Sequence, residues 1–234
     1  MIFDLKRISR DWKPYVFLAL LSLLAHVLLF IKTGANVSTD FLVRYDPIAR
    51  QIYGWITGLS DVSPALSGYQ IFHAGYVFLV CFIYLLFGPG NLAALIFFQV
   101  LISFVSFVLV YHIMAAHFYS RTCAVFFTGL SIVFFDNIQW ATMAVPDSVF
   151  RVLFIASYYI LIELYFHRMF RTYLILLPVL SVLLIVTRID ALFLLVPLYW
   201  FAFKILAGLR TNIRILSLLG VLSAVFAVIK VAGK

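Results

Sequence analysis

Asp40, Arg44, Asp46, His73, Asp136, Asp147, Arg188 and Asp190 are the side chains of this sequence whose types could do chemistry together. A carboxylate can take a proton from a hydroxyl group, an imidazole can relay one, and a guanidinium offers a fixed fork of donors to a phosphate. Taken one at a time, each has a structural explanation. Asp147 follows Pro146 at the start of an apolar run, where the helix dipole favours a carboxylate. Arg188 and Asp190 make an ion pair at a helix end, with aliphatic stems in the apolar layer and charges outside it. Glu163 lies close to His167 and Arg168, enough for an ion pair. His73 suits a polar interface, and Asp40 and Asp46 suit solvated loops. Their interest depends on whether the elements that carry them bring them to one face.

Those elements are built for a bilayer. The chain of 234 residues is 65% hydrophobic and 11% charged, with a mean hydropathy of +1.13. A soluble domain carries about 25% charged residues and could not bury this much apolar surface. Spans are predicted at Tyr15–Ile31, Leu92–Ala115, Thr122–Phe135, Ser148–Phe166, Tyr173–Thr187, Ala191–Phe203 and Ile213–Val231. The apolar segment Ile71–Phe87 is ambiguous, and the charges around it decide its role. Lys6, Arg7, Arg10 and Lys13 hold the N-terminus, read as a retained first span, on the cytoplasmic side. If Ile71–Phe87 crosses, Arg121, Arg168, Arg171, Lys204, Arg210 and Arg214 all fall outside. If it does not, they fall inside, and Asp40, Asp46, Asp61, Asp136, Asp147 and Asp190 fall outside. The second arrangement obeys the positive-inside rule throughout. Ile71–Phe87 is therefore read as re-entrant or interfacial, interrupted by His73 and Gly75 and closed by Gly88-Pro89-Gly90-Asn91.

The expected architecture is all-α: a single polytopic membrane domain over residues 1–234 with about seven spans. Residues 32–91 form a long first external loop. Within it Tyr45–Ile56 has an early proline and helically spaced apolar residues, which predicts an interfacial amphipathic helix. Under this topology the polar residues named above reach one outer face. Acids and arginines together at the mouth of a helical bundle suit a phosphate headgroup and a proton. Cys81 and Cys123 make no redox or metal pattern, and no CxxC, HExxH, P-loop or GxGxxG occurs. The net charge of +8 sits between apolar segments, where it sets topology and meets lipid headgroups rather than nucleic acid.

Four short motifs, in order, resemble the membrane-embedded glycosyltransferases of the GT-C fold. The nearest branch holds the dolichyl-phosphate-mannose protein mannosyltransferases and the lipid A aminoarabinose transferase. Thr39-Asp40-Phe-Leu-Val-Arg44-Tyr45-Asp-Pro-Ile-Ala49-Arg50 is similar to that family's acid, Arg-Tyr pair and short helix. Tyr84-Leu-Leu-Phe-Gly88 resembles its LFG ending, Ala144-Val-Pro-Asp147 an Ala-Val-x-Asp entry to a span, and Val186-Thr187-Arg188 a closing Thr-Arg. The resemblance covers roughly residues 15–205 of the chain. Phe41 stands where the family usually has a second acid, and the resemblance takes in the family's common membrane module alone.

What the resemblance implies is a transfer from a polyprenyl-phosphate-linked sugar on the outer or luminal face, with inversion. It gives Asp40 the role of catalytic carboxylate, with Asp46 the second choice, and Arg188 the donor phosphate. Arg44, Tyr45, His73 and Asp147 would complete the substrate site. The implied setting is a bacterial inner membrane or an endoplasmic-reticulum-type membrane, with lipid and the sugar donor as partners. A non-catalytic subunit that keeps this scaffold and packs against a partner protein is the alternative. A transporter of the lipid-linked sugar is disfavoured by the lack of internal repeats. The loop acids could meet a divalent cation together with a phosphate, but no metal ligand set is complete and no cofactor is named.

Overall fold

The computed structural model describes residues 12–34, 37–64, 71, 73–118, 120–167, 170–188 and 190–206. Among them every element is a helix. The predicted span Ile213–Val231 lies outside the described residues.

Helix α1, Trp12–Thr33, buries a single narrow stripe, Leu18, Ser22 and His26, spaced four residues apart. Phe17, Leu20, Leu24, Leu28 and Ile31 face outward on it, the surface of a helix solvated by lipid. A π-turn, π1 (Phe41–Tyr45), runs directly into α2, Asp46–Ile56, with Pro47 in its first turn. Ile48, Ala49 and Ile52 of α2 are buried while Trp55 and Ile56 stay exposed, so the predicted amphipathic helix is present. It lies on α3, Ala74–Phe87. At about 1.5 Å per residue a helix of this length reaches roughly 21 Å, short of the ~30 Å hydrocarbon core. Tyr76, Val77, Val80, Ile83 and Tyr84 of α3 are buried against α2 and its neighbours.

The turn after α3 uses two left-handed glycines, Gly88 (φ 87°) and Gly90 (φ 81°). Asn91 then caps α4, Leu92–Ile113, by accepting from the Ala94 amide at 3.1 Å. Helix α4 continues as a second π-turn, π2 (Met114–Phe118). Ser120 caps α5, Arg121–Val133. Sequence alone places one span over Thr122–Phe135. Instead α5 stops where Phe134 turns extended (ψ 120°), and a separate short helix, α6, follows at Phe135–Thr142. The remaining helices are α7, Asp147–His167, α8, Phe170–Thr187, and α9, Ala191–Leu206.

Helix α7 is the hub, packing most heavily on α4 and α8. Three helical stretches, Trp12–Thr33, Leu92–His117 and Asp147–Tyr165, are long and apolar enough to cross a membrane. Ala74–Phe87, Arg121–Val133, Ile175–Thr187 and Ala191–Trp200 are apolar but shorter.

Candidate functional site at the helix ends

The site forms where π1, the start of α3, the start of α7 and the end of α8 meet. Ser38 makes the first connection. Its hydroxyl donates to the Ala144 carbonyl at 3.2 Å and accepts from the Phe41 amide at 3.0 Å. The first loop is thereby fixed to the segment that leads into α7. From the other side Gln99 of α4, fully buried, donates to the Val145 carbonyl at 2.6 Å and to the Ser148 hydroxyl at 3.1 Å. Those two attachments set where Asp147 begins its helix.

Gly75 makes the second connection. A Cβ there would lie 2.9 Å from Thr187 Oγ1 and 3.2 Å from both Val186 Cγ2 and the Val186 carbonyl oxygen. Only a glycine lets α3 come this close to the end of α8. The approach brings His73, the residue before α3, to Thr187 and Arg188. The Tyr45 hydroxyl lies 3.4 Å from His73 Nδ1, and the Tyr45 ring packs edge-on to Tyr76 at 5.1 Å.

Arg188 is the charged centre. One guanidinium nitrogen donates to Asp147 Oδ1 and the other to Asp190 Oδ2 at 2.8 Å, while the group sits 5.6 Å over the Phe150 ring. Burial works against its charge, but the hydrogen bond to Asp190 and the fields of Asp147 and Asp190 outweigh that, and its pKa is raised. His73 shifts the other way. Burial depresses its pKa first, and Arg188 and Arg44 add to the depression against a Thr187 backbone hydrogen bond and Asp190. A neutral imidazole beside a tyrosine hydroxyl can pass a proton; a charged one could not accept it.

Asp40 stands at the entrance. It pairs with Arg44 at 3.3 Å, one helical turn on, and more than half of its side chain is exposed. The carboxylate makes no capping hydrogen bond, so it meets solvent. Asp46 has different company. Arg50 Nε lies 2.9 Å from both of its oxygens, and the Tyr84 hydroxyl donates to one of them. The Arg50 guanidinium sits 5.7 Å over the Tyr84 ring, and a Cβ on Gly90 would be 2.7 Å from it. Asp46 thus pins α2 to α3 and to the glycine turn.

Of the residues named from sequence, Arg44, Tyr45, His73, Asp147, Arg188 and Asp190 form one neighbourhood, with Asp40 at its edge through Arg44. Asp46 belongs to the separate pin. The side chain of Asp136 lies outside the described ones. Glu163 pairs with His117 at 3.0 Å, a partner from π2 that chain proximity did not suggest.

Sequence reasoning missed Arg151. It stands one helical turn beyond Asp147, with Nη1 donating to the Asn137 carbonyl at 3.1 Å and to Asn137 Oδ1 at 2.7 Å. Nη2 donates to Ser103, and the group lies 5.3 Å over the Phe107 ring. A basic residue near the start of the predicted span Ser148–Phe166 was the available signal. Ser38 and Gln99 gave none, because their roles rest on contacts far along the chain.

Among the described residues no group of three or more His, Cys, Asp or Glu side chains is placed to hold a metal ion. Fold and site together define an all-helical protein with membrane-helix character and an arginine–carboxylate–histidine cluster at its helix ends. Compared with the models of known protein families, with characterised proteins and with solved structures, the chain matches none.

Proposed function

We propose that this chain is a membrane-embedded glycosyltransferase of the GT-C type, with about seven spans and its N-terminus cytoplasmic. It takes a sugar from a polyprenyl-phosphate donor on the outer or luminal face. The observation that supports this most is the convergence of loop and helix ends around Arg188, stitched by Ser38 and permitted by Gly75. The donor's tail lies in lipid and its phosphate at the interface, where Arg188 meets it by exchanging one carboxylate for a phosphate oxygen. An acceptor hydroxyl loses its proton to solvent-facing Asp40 and attacks the anomeric carbon. The bond from that carbon to the phosphate oxygen breaks, its electron pair stays on the phosphate, and Arg188 stabilises the charge. Neutral His73 and Tyr45 orient the phosphate or carry the proton onward.

A second reading, a non-catalytic subunit with the same scaffold, draws on one observation: Arg188 is already held by two carboxylates. The full chain in lipid nanodiscs, given polyprenyl-phosphate hexose and pentose donors, separates the two. The transferase consumes a donor, Asp40→Asn stops consumption while leaving donor bound, and Arg188→Ala lowers both. If no donor binds, or if Asp40→Asn consumes it at the normal rate, the scaffold reading replaces the enzyme.

A further inference from the structure

From the end of the bundle opposite this site, α1 and α5 pack on each other through Leu18, Ala124 and Ile132 but leave a cleft beside that contact. Between them runs a groove of about 600 Å³ lined by Phe17 and Leu21 of α1 and by Arg121, Val125, Gly129 and Val133 of α5, among others. Such a volume falls within the ~300–1,000 Å³ of ordinary ligand sites. Its walls are apolar along their length. Among the described residues charge enters at Arg121, exposed at the first turn of α5, with Lys13 exposed beside Pro14 at the facing end of α1. Phe17, Phe126, Leu130 and Val133 on its rims are turned outward, so the groove opens sideways, toward lipid.

Its dimensions and polarity select the occupant. From Arg121 to Val133 the helix rises about 18 Å, close to half of the ~30 Å hydrocarbon core. One leaflet's acyl chain has that reach. The charged end of the groove is the end where the basic loops lie by the charge distribution, so a headgroup there meets Arg121 and Lys13. Among the described residues nothing acidic lines the groove. The small residue at Gly129 keeps the floor open. A Cβ there would stand 3.6 Å from Leu21, an ordinary contact, and anything longer would enter the groove.

We infer that the α1–α5 groove is a binding site for one anionic phospholipid of the leaflet at the Arg121 end. One acyl chain lies along Phe17, Leu21, Val125 and Gly129, and the headgroup phosphate is held by Arg121. The inference is independent of what the opposite face does. It also explains why α1 can stay so little covered by protein: 17% of its apolar window is buried, and lipid supplies the missing wall.

Native mass spectrometry of the full chain in detergent, titrated with dioleoyl phosphatidylglycerol and separately with dioleoyl phosphatidylcholine, tests it. One phosphatidylglycerol should bind roughly fivefold more tightly than phosphatidylcholine, the factor contributed by one basic side chain near an anionic surface. Arg121→Gln should remove that difference and keep the zwitterionic lipid. Gly129→Leu and, at a separate position on the rim, Leu130→Trp should each weaken both lipids, with unchanged melting in lipid-free detergent as the check that they fold. Equal binding of the two lipids by the unaltered chain overturns the inference, as does full retention of phosphatidylglycerol by folded Leu130→Trp. So does a change of oligomeric state with lipid binding intact, which would assign the groove to a second protein chain.

Discussion

Arg188 and Arg151 stand near the same carboxylate and are held in opposite ways. Arg188, at the end of α8, takes charged partners, Asp147 and Asp190, and keeps about a third of its side chain exposed. Arg151, one turn into α7 from Asp147, takes neutral ones: an asparagine carbonyl and amide oxygen, a serine hydroxyl and the face of Phe107. A guanidinium held by carboxylates at a wet helix end can trade one anion for another, because solvent and ligand both reach it. One enclosed by dipoles has no anion to trade, and removing it strands its partners. Of two arginines near one carboxylate, the first is the one the proposed function uses for ligand exchange and the second joins α4, α6 and α7.

The largest effect should therefore come from the residue that touches no ligand. Arg151→Ala leaves Asn137 and Ser103 without their donor inside the bundle. It is expected to lower stability by about 3 kcal/mol, as buried polar groups stripped of partners do. Arg188→Ala should lower it by about 1 kcal/mol or less, the scale of partly exposed ion pairs. Thermal unfolding of both variants in nanodiscs reads the difference. Equal losses would end the distinction between the two arginines.

Next in size is Gly75→Val. Its Cβ would lie 2.9 Å from Thr187 Oγ1, closer than real Cβ atoms come, and a tight 3.2 Å from Val186, and overpacking of this kind costs about 1–3 kcal/mol. Because the contact sets His73 against Arg188, the variant should also weaken the donor binding proposed for the site while leaving Arg151 and its partners intact. A crosslink between cysteines placed at Tyr45 and Asp190 would report the separation. Undiminished crosslinking in a folded Gly75→Val chain would show that α3 does not position the site.

Much of the framework could be read from the chain alone, and the reasons differ by element. The apolar runs behind α1, α4, α7, α8 and α9 are long and nearly uninterrupted, so their positions come out within a few residues of Trp12–Thr33, Leu92–Ile113, Asp147–His167, Phe170–Thr187 and Ala191–Leu206. Ala74–Phe87 was recognisable as unusual because glycines and a histidine punctuate it. The break at Phe134 was not, since no glycine or proline marks it. The polar residues Asp136, Asn137 and Gln139 that follow lie within α6 itself, and Asn137 donates across the break to the Ser131 carbonyl at 2.8 Å. Of the site, the charged residues announced themselves by type. Their pairings did not: Ser38 meets Ala144 across 106 positions and Arg151 meets Ser103 across 48. In sequence Asp46 stood as the second choice after Asp40 for the catalytic carboxylate. Its oxygens are engaged by Arg50 one turn on and by the distant Tyr84 hydroxyl, and only the second of these lies beyond the reach of local sequence.

The smallest expected effect sharpens the contrast by pH. His73 faces Tyr45, Thr187, Arg188, Arg44 and Asp190, and its folded pKa lies below the ordinary value of 6.5. The unfolded chain therefore binds the extra proton first. Between the folded value and 6.5 it holds more protons than the native state, so stability rises with pH there. The contribution is complete above 6.5 and is lost as pH falls below it. Melting of the intact chain and of His73→Gln, followed from about pH 7.5 down to about 5, should diverge only in the acidic half, with the variant losing less. Arg151, paired to groups that do not titrate in this range, predicts no such slope for the interior. A His73→Gln chain that loses stability in parallel with the intact one would show that His73 is not the source of the site's acid sensitivity, and the contrast between the two arginines would then rest on their partners alone.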